Sequence, residues 1–149
     1  YETTTWADRP TEILIDSIGL GAGVVDRLTE LDLPVRGINV AESASMGERY
    51  GRLRDELWFL GKEWFEMRDC TIPLQEELIE DLSKPRFSFL SNGKLKVEGK
   101  DEMKRRGLNS PDLADAFCLT FASRASITKN GSKHKWNSNL NYGKAKWIV

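Results

Sequence analysis

Apolar residues come in short groups along this chain, and the spacing within each group changes from one segment to the next. Glu12-Ile13-Leu14-Ile15-Asp16 is an apolar run bounded by turn residues, the pattern of a buried strand. Gly19, Gly21 and Gly23 then read as a flexible turn. After it, Val24, Leu28 and Leu31 share one helical face, and residues 34–40 (PVRGINV) form a second strand. Strand, helix and strand in this order predict a right-handed β-α-β unit with parallel pairing.

Farther on the period becomes helical. Tyr50, Leu53, Leu57, Leu60 and Trp64 recur in steps of three and four, which predicts a long amphipathic helix over about 45–65. Pro73 suits the first turn of a short helix with Leu74, Leu78 and Leu82 inside. Phe87-Ser88-Phe89 and Leu95-Lys96-Val97 flank Asn92-Gly93, a hairpin signal. Ser110-Pro111 opens a last helix to about 123, with serine as N-cap and Leu113, Ala114, Phe117, Cys118 and Phe121 buried. No internal repeat is present.

Composition narrows the class. A length of 149 residues, 40% hydrophobic and 30% charged, gives one folded domain with a core rather than a disordered chain. Apolar runs are far too short to span a membrane, and residues 1–10 lack the pattern of a signal peptide, so the expectation is a soluble intracellular protein. Such a compartment favours Cys70 and Cys118 as reduced thiols. With one histidine and two scattered cysteines, a usual zinc site is excluded. Any metal must be held by carboxylates, which points to Mg²⁺ or Mn²⁺.

The net charge of −1 hides an asymmetry: residues 1–93 carry −8 and residues 94–149 carry +7, with no acidic residue after Asp115. A polyanion would be drawn to the C-terminal third, although a solubilising tail has the same composition. Residues 125–149, rich in Ser, Asn, Gly and Lys, are expected to form a basic, partly flexible tail anchored at most by Trp136 and Trp147. The folded domain is placed in residues 1–124.

Candidate chemistry gathers at two places. Asp16 ends a strand and faces a glycine turn, where α/β proteins set their sites; the plain alternative is an aspartate that caps the turn. A dinucleotide site does not fit, because the third glycine of GxGxxG is Val24 here, and no Walker GK[ST] follows. Asp112 and Asp115, spaced i, i+3, share one face of the last helix. Asp112 is well explained as a first-turn acid that complements the helix dipole. Asp115 lies deeper, between Ala114 and Ala116, where a carboxylate is costly unless it is paired or binds a metal. Just upstream, Lys100, Lys104, Arg105 and Arg106 are candidate DNA-phosphate contacts, the alternative being an exposed basic face. Glu98, Asp101 and Glu102 read as solvated surface, and Trp58, Phe59, Trp64 and Phe65 as core rather than base-stacking platforms.

These segments call a family into view. Residues 15–26 (IDSIGLGAGVVD) resemble the middle acidic motif of phage and prophage large terminase nuclease domains, and residues 110–116 (SPDLADA) resemble their last acidic motif. The order between them is also similar: a long helix after the second strand, Ile-Pro opening a leucine-rich helix, a hairpin, then Lys-Arg-Arg-Gly. The resemblance runs over about 11–125. It implies an α/β, ribonuclease H-like central sheet with flanking helices, shared with Holliday-junction resolvases and integrases. It implies cutting of concatemeric double-stranded DNA during viral genome packaging. The family holds two divalent ions with carboxylates, one ion activating water and the other stabilising the leaving 3′ oxygen. Carried over, Asp16 and Asp115 are metal ligands and Asp112 an accessory ligand or orienting residue.

Expected partners are a portal protein, a small terminase subunit and an ATPase domain of the same full-length protein, in the host cell cytoplasm and transiently at the procapsid portal, with no membrane. The pattern departs from the family in one respect. The family's first catalytic aspartate lies on an earlier strand; the chain begins just upstream of Asp16, and Asp8 is not on a strand-like segment. The resemblance therefore implies a nuclease domain without its first strands, with weak activity or none in isolation. Two other readings stay open: a resolvase-type nuclease, and a non-catalytic module that binds DNA or the portal.

Overall fold

Two parallel strands and a pair of helices packed across from them carry the architecture. The computed structural model describes residues 10–122. Their elements are β1 (Ile13–Asp16), α1 (Leu20–Glu30), β2 (Val35–Ile38), α2 (Leu53–Glu66), α3 (Glu76–Ser83), β3 (Phe87–Phe89), β4 (Leu95–Val97), α4 (Lys100–Arg105) and α5 (Asp112–Leu119). The expected boundary at residue 124, the basic tail with Trp136 and Trp147, and Asp8 lie outside the described residues.

The predicted β-α-β unit forms: β1 and β2 pair in parallel, with Ile13 opposite Val35 and Asp16 opposite Ile38. Its connecting helix differs from expectation. Only Gly19 turns the chain, at φ 62°, while Gly21 and Gly23 lie inside α1. A Cβ on residue 21 would sit 1.7 Å from the Asp16 carbonyl oxygen, so glycine is what lets the helix start directly on the strand end. This shifts the sheet-facing side of α1 by one position. Val25 and Leu28 are half-buried, whereas Val24 and Leu31 are exposed. The three apolar residues of β1 are half-buried rather than buried, since β2 is the strand's one neighbour among the described residues.

On the other side, α2 and α5 pack face to face. Leu53, Leu57 and Leu60 meet Cys118, Leu119 and Phe121, and Leu14 of β1 and Ile38 of β2 join the same cluster. Burying a side chain such as Leu57 contributes roughly 1.5–3 kcal/mol. The predicted helical face is therefore right, but the helix starts at Leu53 rather than near 45. Two acids in its first turn explain the late start, because they bond backward to the preceding segment. Asp55 accepts from the Arg52 N–H at 2.9 Å and from the Val97 N–H at 2.8 Å. Glu56 accepts from the Ser45 N–H at 2.5 Å. Both carboxylates are almost fully buried, and these N–H donors offset the cost of burying them.

The leucine-rich helix also begins later than its proline suggests. Pro73 and Leu74 precede α3, the Gln75 N–H bonds the Pro73 carbonyl, and Leu74 is 94% exposed. Leu78 is buried as expected. The hairpin forms in the predicted place, with Phe87 opposite Val97 and Phe89 opposite Leu95; Gly93 takes φ 79° in its turn. In α5 the N-cap position belongs to Pro111, not Ser110, and the helix ends at Leu119, short of 123. Ser110 instead donates its hydroxyl to Asp112 Oδ1. Asp81 of α3 takes over the capping, accepting the Leu113 N–H at 3.1 Å.

Candidate active site

Helix α5 packs on both α2 and β1, which brings the elements carrying Asp115 and Asp16 into contact. Asp16 is exposed at the end of β1, and its Oδ1 accepts the Ile18 N–H at 3.1 Å. That bond is the turn-capping role open to any aspartate there. Its other oxygen accepts no hydrogen bond among the described residues.

Asp115 is held far more firmly. Its Oδ1 accepts both Arg54 Nε–H at 3.0 Å and Trp58 Nε1–H at 2.8 Å. The guanidinium lies 5.5 Å over the Trp58 ring, and Arg54 Nη1 donates to the Glu98 carbonyl at 3.1 Å. Side chains of α2 and the carbonyl that follows β4 therefore fix one oxygen of one carboxylate. Asp115 Oδ2 has Lys100 Nζ at 3.6 Å, beyond an ordinary hydrogen bond.

Lys100 also bonds Asp112 Oδ1 at 2.9 Å, so a single ammonium bridges the two acids of α5. The Ser110 hydroxyl, then this ammonium, hold the Asp112 carboxyl below its ordinary value. Burial pulls the Lys100 ammonium down, but its bond to Asp112 and the charge of Asp115 outweigh that and raise it. Beneath the site, burial pushes the Cys118 thiol well up, so it stays protonated and inert.

The predicted basic group divides. Lys100 is engaged by the acidic pair, and Arg106 is paired with Glu98, whose carboxyl it holds below the ordinary range. Lys104 and Arg105 project from the end of α4, exposed and with no ion-pair partner among the described residues. Glu102, expected on the surface, caps α4 through the Gly99 N–H at 2.7 Å and pairs with Lys96.

Asp16 and Asp115 are hard oxygen donors of the kind that suits Mg²⁺ or Mn²⁺, although Asp115 Oδ2 already faces the Lys100 ammonium at 3.6 Å. No group of three or more His, Cys, Asp or Glu side chains gathers as a metal cage among the described residues. The residues that sequence reasoning missed are Arg54 and Trp58. Their i, i+4 spacing on α2 does place two donors on one face, but only the packing of α5 shows what that face meets.

No protein-family model matches the sequence, and no curated protein matches it either. Solved structures do. The nuclease domain of the large terminase subunit gp2 of bacterial virus Sf6, in a mutant form with manganese and beta-thujaplicinol, superposes with TM-score 0.57 at 22% identity, covering 76% of this chain and 66% of that one. The mutant form with manganese alone gives 0.55 at 21% identity, covering 76% and 67%. The nuclease domain described without a metal gives 0.52 at 21%, covering 76% and 66%. The chain thus spans about two thirds of the length of these domains, and it has their mixed α/β, ribonuclease H-like fold.

Proposed function

We propose that this chain is the nuclease portion of a phage or prophage terminase large subunit, a divalent-metal-dependent endodeoxyribonuclease that cuts concatemeric double-stranded DNA during genome packaging. The observation that carries the reading is the contact of β1 with α5 inside a terminase-nuclease fold: an exposed strand-end aspartate on one element, a clamped aspartate on the other. Metal-bound neighbours of the same fold support a cation at these carboxylates.

In this reading Asp16 and Asp115 are metal ligands, and Asp112 is an accessory acid that acts through Lys100. Bound ions would supply water activation and stabilisation of the leaving oxygen. Lys100 bridges the two acids and offsets part of their charge. Lys104 and Arg105 offer charge to the DNA backbone. The portal protein, the small terminase subunit and an ATPase domain of the same protein are the proposed partners, in the host cytoplasm. No helix among the described residues is long and apolar enough to cross a membrane.

The test is cutting of concatemeric DNA by the packaging protein that contains this chain, with Mg²⁺ or Mn²⁺. Asp16→Ala and Asp115→Ala should each abolish it. Full activity in both variants would instead favour a non-catalytic DNA- or portal-binding module. A strong preference for four-way junctions over linear duplex would favour a resolvase.

A further inference from the structure

We infer that Arg54 and Trp58 are positioning residues that aim Asp115 Oδ2 at a hard divalent cation; this rests on the reading of Asp115 as a metal ligand. The two N–H groups converge on the same oxygen, Oδ1, at 3.0 and 2.8 Å. A carboxylate rotates easily about its last torsion, and saturating one oxygen from two directions stops that rotation. It also leaves Oδ2 as the oxygen with no hydrogen bond of its own among the described residues, ion-paired with the Lys100 ammonium at 3.6 Å, which a cation entering there would have to displace.

The donors are themselves locked. Arg54 is pinned by the Glu98 carbonyl and by the indole beneath it, and its side chain and that of Asp115 are 18% and 23% exposed. The two donors act differently on a cation. The Arg54 charge repels it while holding its ligand still, whereas Trp58 orients the ligand without adding charge. Loss of the indole N–H therefore reports on orientation alone. Partners of this kind typically change metal affinity by roughly 10–100-fold.

The test is Mn²⁺ binding to the full chain, read from the electron paramagnetic resonance of the free ion. Trp58→Phe keeps the ring and removes the donor; it should weaken binding about 10-fold or more with an unchanged unfolding temperature. Asp115→Asn should abolish binding. Wild-type affinity in Trp58→Phe, with binding lost in Asp115→Asn, overturns the positioning role and leaves the metal reading standing. Wild-type affinity in Asp115→Asn, or no binding by the wild type at millimolar Mn²⁺, overturns both. Should Trp58→Phe fail to fold, the wild type still decides: the indole N–H resonance of Trp58 must shift as Mg²⁺ saturates the site. A resonance that stays in place while Mg²⁺ binds sinks the proposal.

Discussion

The two acids of the candidate site stand on regions built in opposite ways. On the α1–β1 side, position comes from an absence: glycine at 21 lets a helix begin against the Asp16 carbonyl, and the Asp16 side chain itself is exposed and, among the described residues, hydrogen-bonded only to the next turn. On the α2–α5 side, position comes from partners: Arg54, Trp58 and Lys100 surround Asp115, and Asp81 holds the start of its helix. One carboxylate is placed by its backbone and the other by its neighbours. Mutations should therefore reach the first through the main chain and the second through side chains.

Gly21→Ala should break that contrast most severely. Helix propensity alone predicts a gain of about 1 kcal/mol. A methyl group driven against the Asp16 carbonyl should reverse the sign and cost roughly 3 kcal/mol, read from urea denaturation. A more stable variant would mean that α1 does not sit on the strand end. Next in size is Arg54→Leu, which leaves the half-buried Asp115 without its nearer cation; a loss of about 1–3 kcal/mol is expected. Adding Asp115→Leu should recover much of that loss, and additive losses in the double variant would argue against a coupled pair.

Asp81→Ala removes the tertiary cap of α5 and should cost about 1 kcal/mol in the same denaturation experiment. Asp16→Asn should change stability by less than about 0.5 kcal/mol, because an asparagine oxygen can still accept the Ile18 N–H. A large loss there would erase the distinction between the two sides. The smallest effect is electrostatic. Asp112 should titrate below the ordinary aspartate range by NMR, and Ser110→Ala should move it upward. Since folding lowers this value, its small stabilising contribution is present above the unfolded-state value and fades as pH falls toward the folded one.

Much of the fold was legible because local pattern and tertiary packing agree. The alternation around Asn92-Gly93 specified a hairpin, and the steps from Leu53 to Leu60 specified the buried face of α2. The β-α-β unit followed from strand–helix–strand order. Boundaries were less legible where side chains reach back to the main chain. Asp55 and Glu56 hold residues 45–52 out of the helix that their apolar spacing suggests, and Asp81 caps α5 from another helix. Sequence spacing carries no trace of a cap donated from 32 residues away.

For the candidate site, the sequence by itself determined which side chains are on offer: carboxylates rather than a set of zinc ligands, an aspartate ending a strand, and an i, i+3 acidic pair opening a helix beside a run of cations. These follow from residue type and local geometry, which short-range sterics decide. The tertiary structure alone decided which charges are engaged. It turned Lys100 toward the acids, paired Arg106 with Glu98, left Lys104 and Arg105 facing solvent, and set an arginine and a tryptophan from another helix on one oxygen of Asp115. Electrostatic partners are selected by distance in space, and positions 54 and 115 become neighbours only when α2 and α5 bury their apolar faces together.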